Sequence, residues 1–427
     1  MFGTSGIRGV YGEDVTDELV MRISNLFSDS DIAVGRDIRD SGISLRNSVF
    51  KGITSTGFNA IDLGIVPTPT VALASQKHGK GIMITASHNP PSHNGIKLID
   101  NSREITADEG NSLVEKYEKG ELRKDGEGTI LKNDSILDEH ISMILGMAEP
   151  EKKLKVVVDC NGATYSITPK VLGELGCQVI SINTASSEFF RPSEPKKENL
   201  SSLVSTVKVT CADLGIAHDC DGDRCVVVDK TGEVLQMDVQ LAVMIEEEMK
   251  KSNNKKIAGT VEASLLIRET VENLGGKLFV TPVGSTYLAL EMEKQDALFG
   301  GEPCGEYIYH DGVRVPDGIL SAAKFVELAS KYDLSELKNK YSSYPIIREK
   351  YPVKDRKASM EKIKEAVSGS YKFNEMDGLR VDEDDGWFLI RPSGTEKIIR
   401  LTMEYKDRKN LGQKQKEIED LIKKNLI

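Results

Sequence analysis

Residues 81–100 read GIMITASHNPPSHNGIKLID. Gly81 to Ala86 form an apolar run with the length of a buried strand. The run stops at Ser87-His88-Asn89-Pro90-Pro91, where two prolines remove backbone donors and bias the residue before them away from helix. A serine there sits on a stiff turn at the carboxyl end of a strand, the edge at which open α/β sheets place their ligands. By itself the segment reads first as a structural polar loop after a strand. Its weight depends on what the rest of the chain supplies.

Upstream, DIAVGRD from Asp31 is a short strand, and SGISLRNSVFKGITSTG has helical spacing with Ser41 as its N-cap. NAIDLGIV is a second strand, and PTPTVALASQKHG is a helix with proline in its first turn. This alternation predicts a parallel sheet with crossover helices. Asn111 to about Asp134 is a charged excursion. After AEPEKKLK the pattern restarts with the strand KVVVDC, a helix over NGATYSITPKVLGELG, the strand CQVISIN and two strands around the turn Lys230-Thr231-Gly232. It restarts once more with a helix over DVQLAVMIEEEMKKS, the strands KIAGTVEA and KLFVTPVG, and DALFGGEPCGEYIYHDG as a strand running into a hairpin. Beyond Tyr344-Pro345 the character is mixed, with a hairpin over GWFLIRPSGTEKIIRLTMEY and a charged final helix. The expected fold class is α/β. Three related α/β domains (1–150, 151–236 and 237–343) with mixed, mainly parallel sheets precede a smaller α+β domain (344–427).

Four stretches carry chemistry. In His218-Asp219-Cys220-Asp221-Gly222-Asp223-Arg224, three carboxylates alternate along a loop between apolar flanks, and Gly222 permits a sharp turn. Like charges about 4 Å apart repel by about 1 kcal/mol even in bulk water. A hard divalent cation relieves that repulsion, and oxygen-only ligands suit Mg²⁺. Arg391-Pro392-Ser393-Gly394-Thr395-Glu396, with Arg400 further on, offers backbone N–H groups, hydroxyls and guanidinium forks, the makings of a phosphate cradle. Gly301-Glu302-Pro303-Cys304-Gly305-Glu306 places acids in a Gly/Pro loop able to accept sugar hydroxyls, or to be a turn. Gly3-Thr4-Ser5-Gly6-Ile7-Arg8-Gly9 is glycine-rich but lacks the strand that a dinucleotide fingerprint requires. Lys97, ten residues after Ser87, is placed to return a cation beside the serine loop. Together these point to phosphoryl transfer on a polyhydroxy phosphate where domains meet.

Composition narrows the class. The 427 residues carry 56 basic and 67 acidic side chains, a net charge of −11, which argues against nucleic acid or an anionic membrane as partner. No apolar run approaches the roughly 18 residues of a membrane span. The opening MFGTSGIRGV has no signal-peptide core, and the six cysteines show no zinc-type pairing. The expected setting is a reducing cytoplasm, with the protein a monomer or homodimer.

TSGIRG, TASHNP, DGDR, the GE-containing loop and RPSGTE, in that order, resemble the α-D-phosphohexomutase superfamily over essentially the whole chain. The forms of the first and last motifs are most like its phosphoglucosamine mutase branch. The resemblance implies four domains around a central cleft and one Mg²⁺ per active site. It implies that Ser87 becomes phosphoserine and that Ser87, Asp219, Asp221 and Asp223 are metal ligands. Arg8, His88 and Lys97 would lie near the reacting oxygens, with Lys97 a proton-transfer residue. Arg224, Gly284, Glu302, Cys304 and Glu306 would meet the sugar, and Arg391, Ser393, Gly394, Thr395 and Arg400 the unreactive phosphate. The implied reaction interconverts glucosamine 6-phosphate and glucosamine 1-phosphate through a sugar bisphosphate, which also serves as activator. Cys304 and Glu306 depart from the serine and histidine usual in that loop, so mannose and glucose phosphates stay open as substrates. The acidic Glu306 is an expected partner for the glucosamine ammonium. A Ser-His hydrolase lacks its GxSxG elbow here, and a non-catalytic sugar-phosphate-binding protein has no use for the serine.

Overall fold

The structure, a computed structural model, describes residues 2–3, 5–124, 126–341, 344–393 and 397–427. The apolar run is the strand Lys80–Ile84, shorter than the run itself because Thr85 and Ala86 already belong to the turn. Its sheet has the spatial order Ile7–Val10, His93–Asp100, Lys80–Ile84, Ile32–Arg36, Ala60–Ile65, Ile130–Lys132, and Arg103–Glu104 pairs with His93–Asp100. The strands joined by helices are parallel, whereas Lys80–Ile84 and His93–Asp100 are antiparallel and joined only by the Ser87 loop.

Two further sheets repeat one plan. The second runs Val226–Asp229, Leu214–Ala217, Lys155–Asp159, Gln178–Ile182, and the third Lys277–Thr281, Lys256–Thr260, Phe299–Glu302, Glu306–Tyr309. In each, three strands are parallel and the fourth closes an antiparallel hairpin. The fourth sheet, Ile346–Pro352, Ile398–Tyr405, Gly386–Pro392, Leu379–Glu383, is antiparallel throughout. The turns of the first three hairpins are 85–92, 218–225 and 303–305, and in the fourth sheet the paired strands end at Pro392 and resume at Ile398. Every chemistry-bearing stretch but the first glycine-rich one therefore lies where two antiparallel strands join.

Three expectations change. The second unit's main hairpin turns at Asp219–Asp223, with Ile216 opposite Val227; a turn also closes at Lys230-Thr231-Gly232, where Asp229 N donates to Glu233 O and Leu235 N to Val227 O, but the arm it returns is short and carries one bridge, Val228 to Val234, and no strand. Ser41 precedes the helix Gly42–Thr54 without capping it, because its backbone is already helical and its hydroxyl accepts from Asn94 Nδ2 at 2.8 Å. The charged excursion after Asn111 begins inside the helix Ala107–Glu118, whose Thr106/Glu109 capping box satisfies two orphan backbone donors. That T-x-x-E spacing was readable in the sequence.

Apolar faces of the second and third units share one core, running from Val156 and Val158 to Phe299 and Phe325. The fourth unit docks through Trp387, fully buried against Val261, Leu265 and Leu389. Its Nε1 donates to Glu404 at 2.6 Å, and the Arg380 guanidinium lies 3.6 Å from its ring centroid while donating to Val261 O. Trp387→Ala would cost about 3–5 kcal/mol. Among the described residues, no helix is long and apolar enough to cross a membrane.

Candidate active site

Ser87 adopts φ 47°, a left-handed conformation that a non-glycine residue holds only under constraint. Arg39 supplies that constraint. Its buried guanidinium donates to the carbonyls of Ser87 (2.7 Å), Asn89 (2.8 Å), Pro90 (2.5 Å) and His93 (2.9 Å). Its Nε is anchored on Asp37 at 3.0 Å, and Asp37 also accepts from Thr85 Oγ1 at 2.7 Å. Pro90 and Pro91 bring no N–H of their own to this turn, and one arginine fork gathers its carbonyls. Ser193 adds a link between units: its hydroxyl donates to Ser87 O at 2.8 Å and accepts from Cys220 N at 3.0 Å.

The Ser87 hydroxyl donates to Asp219 Oδ2 at 2.7 Å, and His88 Nδ1 lies 3.4 Å from it. Burial, with Arg224 and Arg8 adding to it, lowers the His88 pKa to about 4, so the ring is neutral at neutral pH. Oxygens of Asp219, Asp221 and Asp223 lie within 4.8 Å of one another, all buried. Burial and then Asp223 and Asp221 push Asp219 well above the usual carboxylate range. Burial would also raise Asp221, but Lys97 and Arg8 outweigh it and hold the carboxyl below that range. Asp221 Oδ1 and Asp223 Oδ1 are buried with no hydrogen-bond partner among the described residues. Buried carboxylate oxygens left open in a cluster are what a hard cation needs, so the donor set fits one.

Lys97 is a buried cation and not a surface lysine. Its Nζ lies 2.6 Å from Asp223, 2.9 Å from Asp221 and 3.2 Å from Glu104. Burial favours the neutral amine, yet Asp221, Asp223 and Glu104 outweigh it and the pKa stands well above its ordinary value. Arg8 Nη2 donates to Ser5 Oγ, which donates to Glu104 Oε2, at 2.8 and 2.7 Å.

In the third loop Arg224 pairs with Glu306, Nη2 to Oε1 at 2.9 Å and Nε to Oε1 at 3.1 Å. The charge of Glu306 is thus compensated inside the protein, which removes the reason to expect it to hold a sugar ammonium. Glu302 accepts from Gly284 N at 2.9 Å, and burial together with Glu306 and Glu262 raises its pKa to about 8. Cys304 lies between them, partly buried, its thiol pushed well up by burial and by Glu306. In the fourth loop the register sets Arg391 opposite Arg400. Arg391 lies 3.4 Å from both Glu262 and Asp377, and its Nε is buried with no partner among the described residues. Arg400 Nη2 reaches Ser393 Oγ at 3.5 Å. Gly394 and Thr395 lie outside the described residues.

Models of the four phosphoglucomutase/phosphomannomutase domains match this chain in order: α/β/α domain I over residues 1–124, domain II over 138–232, domain III over 237–344 and the C-terminal domain over 348–421. The chain belongs to the phosphoglucomutase/phosphomannomutase family. It is a phosphohexomutase, an isomerase acting on hexose or hexosamine phosphates. A probable phosphoglucosamine mutase of Methanopyrus kandleri is 38% identical over 99% of this chain and 98% of its own length. Another, from Methanothermobacter thermautotrophicus, is 40% identical over 95% and 94%. A crystal structure of a family protein from Burkholderia thailandensis superposes with a TM-score of 0.89 at 25% identity, covering 100% of this chain and 98% of that one.

Several residues of this phosphohexomutase site escaped sequence reading. Arg39 and Ser193 shape the serine loop, Thr68 Oγ1 donates to Asp221 Oδ2 at 2.6 Å, Glu104 partners Lys97, and Arg356 donates to Ser393 O. Only Arg39 carried a signal, in GRDIRDSG directly after a strand. Ser193 and Thr68 depend on units meeting, and Glu104 and Arg356 on strands and loops that only the folded first and fourth units bring together.

Proposed function

We propose that this phosphohexomutase interconverts glucosamine 6-phosphate and glucosamine 1-phosphate through phosphorylated Ser87 and a sugar bisphosphate. The observation that carries the mechanism is Ser87 Oγ, buried and 2.7 Å from Asp219 within the aspartate cluster. The choice of sugar rests on the relatives at 38–40% identity, which bear the name phosphoglucosamine mutase.

Asp219, Asp221 and Asp223, with an oxygen of the modified Ser87, would hold Mg²⁺, which when bound would supply neutralisation of phosphoryl charge and make the serine oxygen a tolerable leaving group. In the first transfer the free hydroxyl oxygen of the sugar monophosphate bonds to phosphorus as the phosphorus–Oγ bond of Ser87 breaks. Neutral His88 is able to take the hydroxyl proton, and the Lys97 ammonium is able to protonate the departing Oγ. Arg8 lies on the same side through Ser5 and Glu104. The bisphosphate then turns over and returns its other phosphate to Ser87. Arg391, Ser393, Gly394, Thr395 and Arg400 bind the phosphate at rest, while Glu302, Cys304 and Glu306 with Arg224 and Gly284 read the sugar hydroxyls. Six free cysteines fit a reducing cytoplasm.

A coupled isomerisation assay with glucosamine, glucose and mannose phosphates side by side tests the reading. Glucosamine phosphate is expected to turn over fastest. A preference for mannose or glucose phosphate would move the enzyme to the phosphomannomutase/phosphoglucomutase activity. Release of inorganic phosphate without isomerised sugar would overturn the mutase mechanism.

A further inference from the structure

We infer that His140, remote from the reacting groups, is a positioning residue that sets the shape of the aspartate loop by fixing two helix N termini against it. The inference rests on the reading that this loop holds a divalent cation.

The loop backbone is gripped at two consecutive carbonyls. Thr68 N, in the first residue of the helix Thr68–His78, donates to Asp221 O at 2.8 Å. Gly318 N, in the first residue of the helix Gly318–Lys331, donates to Gly222 O at 3.1 Å. Little slack exists at this point. Gly222 holds φ 73°, and a Cβ there would stand 2.9 Å from Pro67 Cβ and 2.5 Å from Thr164 Cγ2. A Cβ on Gly318 would stand 2.6 Å from Gly222 O. Elements of the first, second and third units thus close on one peptide, and the spacing of the two helix ends decides where the Asp221 and Asp223 carboxylates point.

His140 sets that spacing. It lies on the helix Ile136–Leu145, wholly buried, with Nδ1 2.8 Å from Thr70 Oγ1 and Nε2 2.9 Å from Asp317 Oδ2. Thr70 is in the first turn of the helix that holds Asp221. Asp317 caps the helix that holds Gly222, its Oδ1 accepting from Ile319 N and Leu320 N at 3.0 and 2.9 Å. With a proton on Nε2 the ring donates to Asp317, and Nδ1 accepts from the Thr70 hydroxyl, so both nitrogens and both partners are matched. One imidazole therefore bolts the two gripping helices together. Direct partners of metal ligands change metal affinity by roughly 10–100-fold when removed, and His140, which acts through the two helix ends and not on a ligand, is expected at the low end of that range.

The test measures Mn²⁺ binding to the purified full-length protein by titration calorimetry, alongside thermal unfolding. His140→Leu fills the space but breaks both links and is expected to weaken Mn²⁺ binding roughly tenfold. His140→Gln, which keeps a donor toward Asp317, should recover most of the loss. Thr70→Val, which leaves the His140–Asp317 bond, should fall between. The KM for sugar phosphate should stay near wild type while the Mg²⁺ concentration needed for half-maximal rate rises. A folded His140→Leu protein, or Thr70→Val where His140→Leu does not fold, with wild-type Mn²⁺ affinity overturns the inference and leaves the metal reading standing. Absence of Mn²⁺ binding in the wild type overturns both.

Discussion

Ser87 Oγ donates its hydrogen bond to Asp219 Oδ2 across 132 residues of sequence, at 2.7 Å and out of contact with solvent. The serine that would carry a phosphoryl group and the carboxylate that would face it come from turns of two different sheets. Ser87→Ala is expected to abolish isomerisation and to remove a mass increment of about 80 Da, one phosphoryl group, from the intact protein. Sugar-phosphate binding and thermal stability should change little. Isomerase activity surviving in the variant would refute phospho-Ser87.

Chelation should stop turnover, and Mg²⁺ should restore it. The unfolding temperature supplies a second readout, because an ion bound only by the folded state at 100 times its Kd adds about 2.7 kcal/mol. Asp221→Asn should lose both the rescue and the thermal shift. A shift of wild-type size in that variant would place the cation elsewhere.

Arg39 is the organiser of the serine loop. Arg39→Ala leaves Asp37 without its buried partner and takes one donor from each of four loop carbonyls, of which Ser87 O keeps Ser193 and Pro90 O keeps His93 N, at an expected cost of about 3–5 kcal/mol. Arg39→Lys should not restore activity, since a single ammonium cannot fork to four oxygens. Recovery by lysine would show that charge and not geometry matters there.

Glu302 makes stability depend on pH in a stated direction. Burial and Glu306 raise its pKa from 4.5 to about 8, so between those values the folded protein binds the proton that the unfolded chain has released. Its contribution to the stability of the metal-free protein therefore falls as pH rises through that window, opposed below pH 6.5 by His88 and His218, whose pKa values are lowered to about 4, and unopposed by them above it. Asp219, also raised, contributes in the same sense. Glu302→Gln should flatten the decline, measured as unfolding temperature against pH. An unchanged slope would place the Glu302 titration elsewhere.

Glu306 is committed to Arg224. Glu306→Gln is expected to lower kcat/KM for every sugar phosphate by loosening Arg224, and to leave the ratio of glucosamine to glucose rates as it was. A changed ratio would return Glu306 to sugar selection.

The strands and helices were largely legible because apolar periodicity is local. VVVD, KIAGT and the helix over DVQLAVMIEEEMKK read correctly from their own residues. The second unit's main hairpin was misplaced to Lys230-Thr231-Gly232, a strong turn signal by composition. The strand pairing instead follows Leu214–Ala217 and Val226–Asp229, two fully buried runs that only the completed sheet brings side by side. Lys97 shows the same limit. Its alternation within NGIKLID gives its face of the strand, yet only the arrival of Asp221 and Asp223 from another unit makes it a buried cation.

By itself, then, the order of amino acids determined the class of fold, the four chemistry-bearing stretches and the kinds of group each carries: a serine, three aspartates, an acid pair and two arginines. These follow from short-range pattern and side-chain chemistry. Tertiary structure decided which groups meet and in what state of charge. The 2.7 Å approach of Ser87 to Asp219, the left-handed serine held by Arg39, the pairing that neutralises Glu306 and the His140 link behind the aspartate loop all join residues far apart in the chain. Such contacts are set by how loops and strands meet within the first unit and by how whole units pack, and local periodicity carries no record of them.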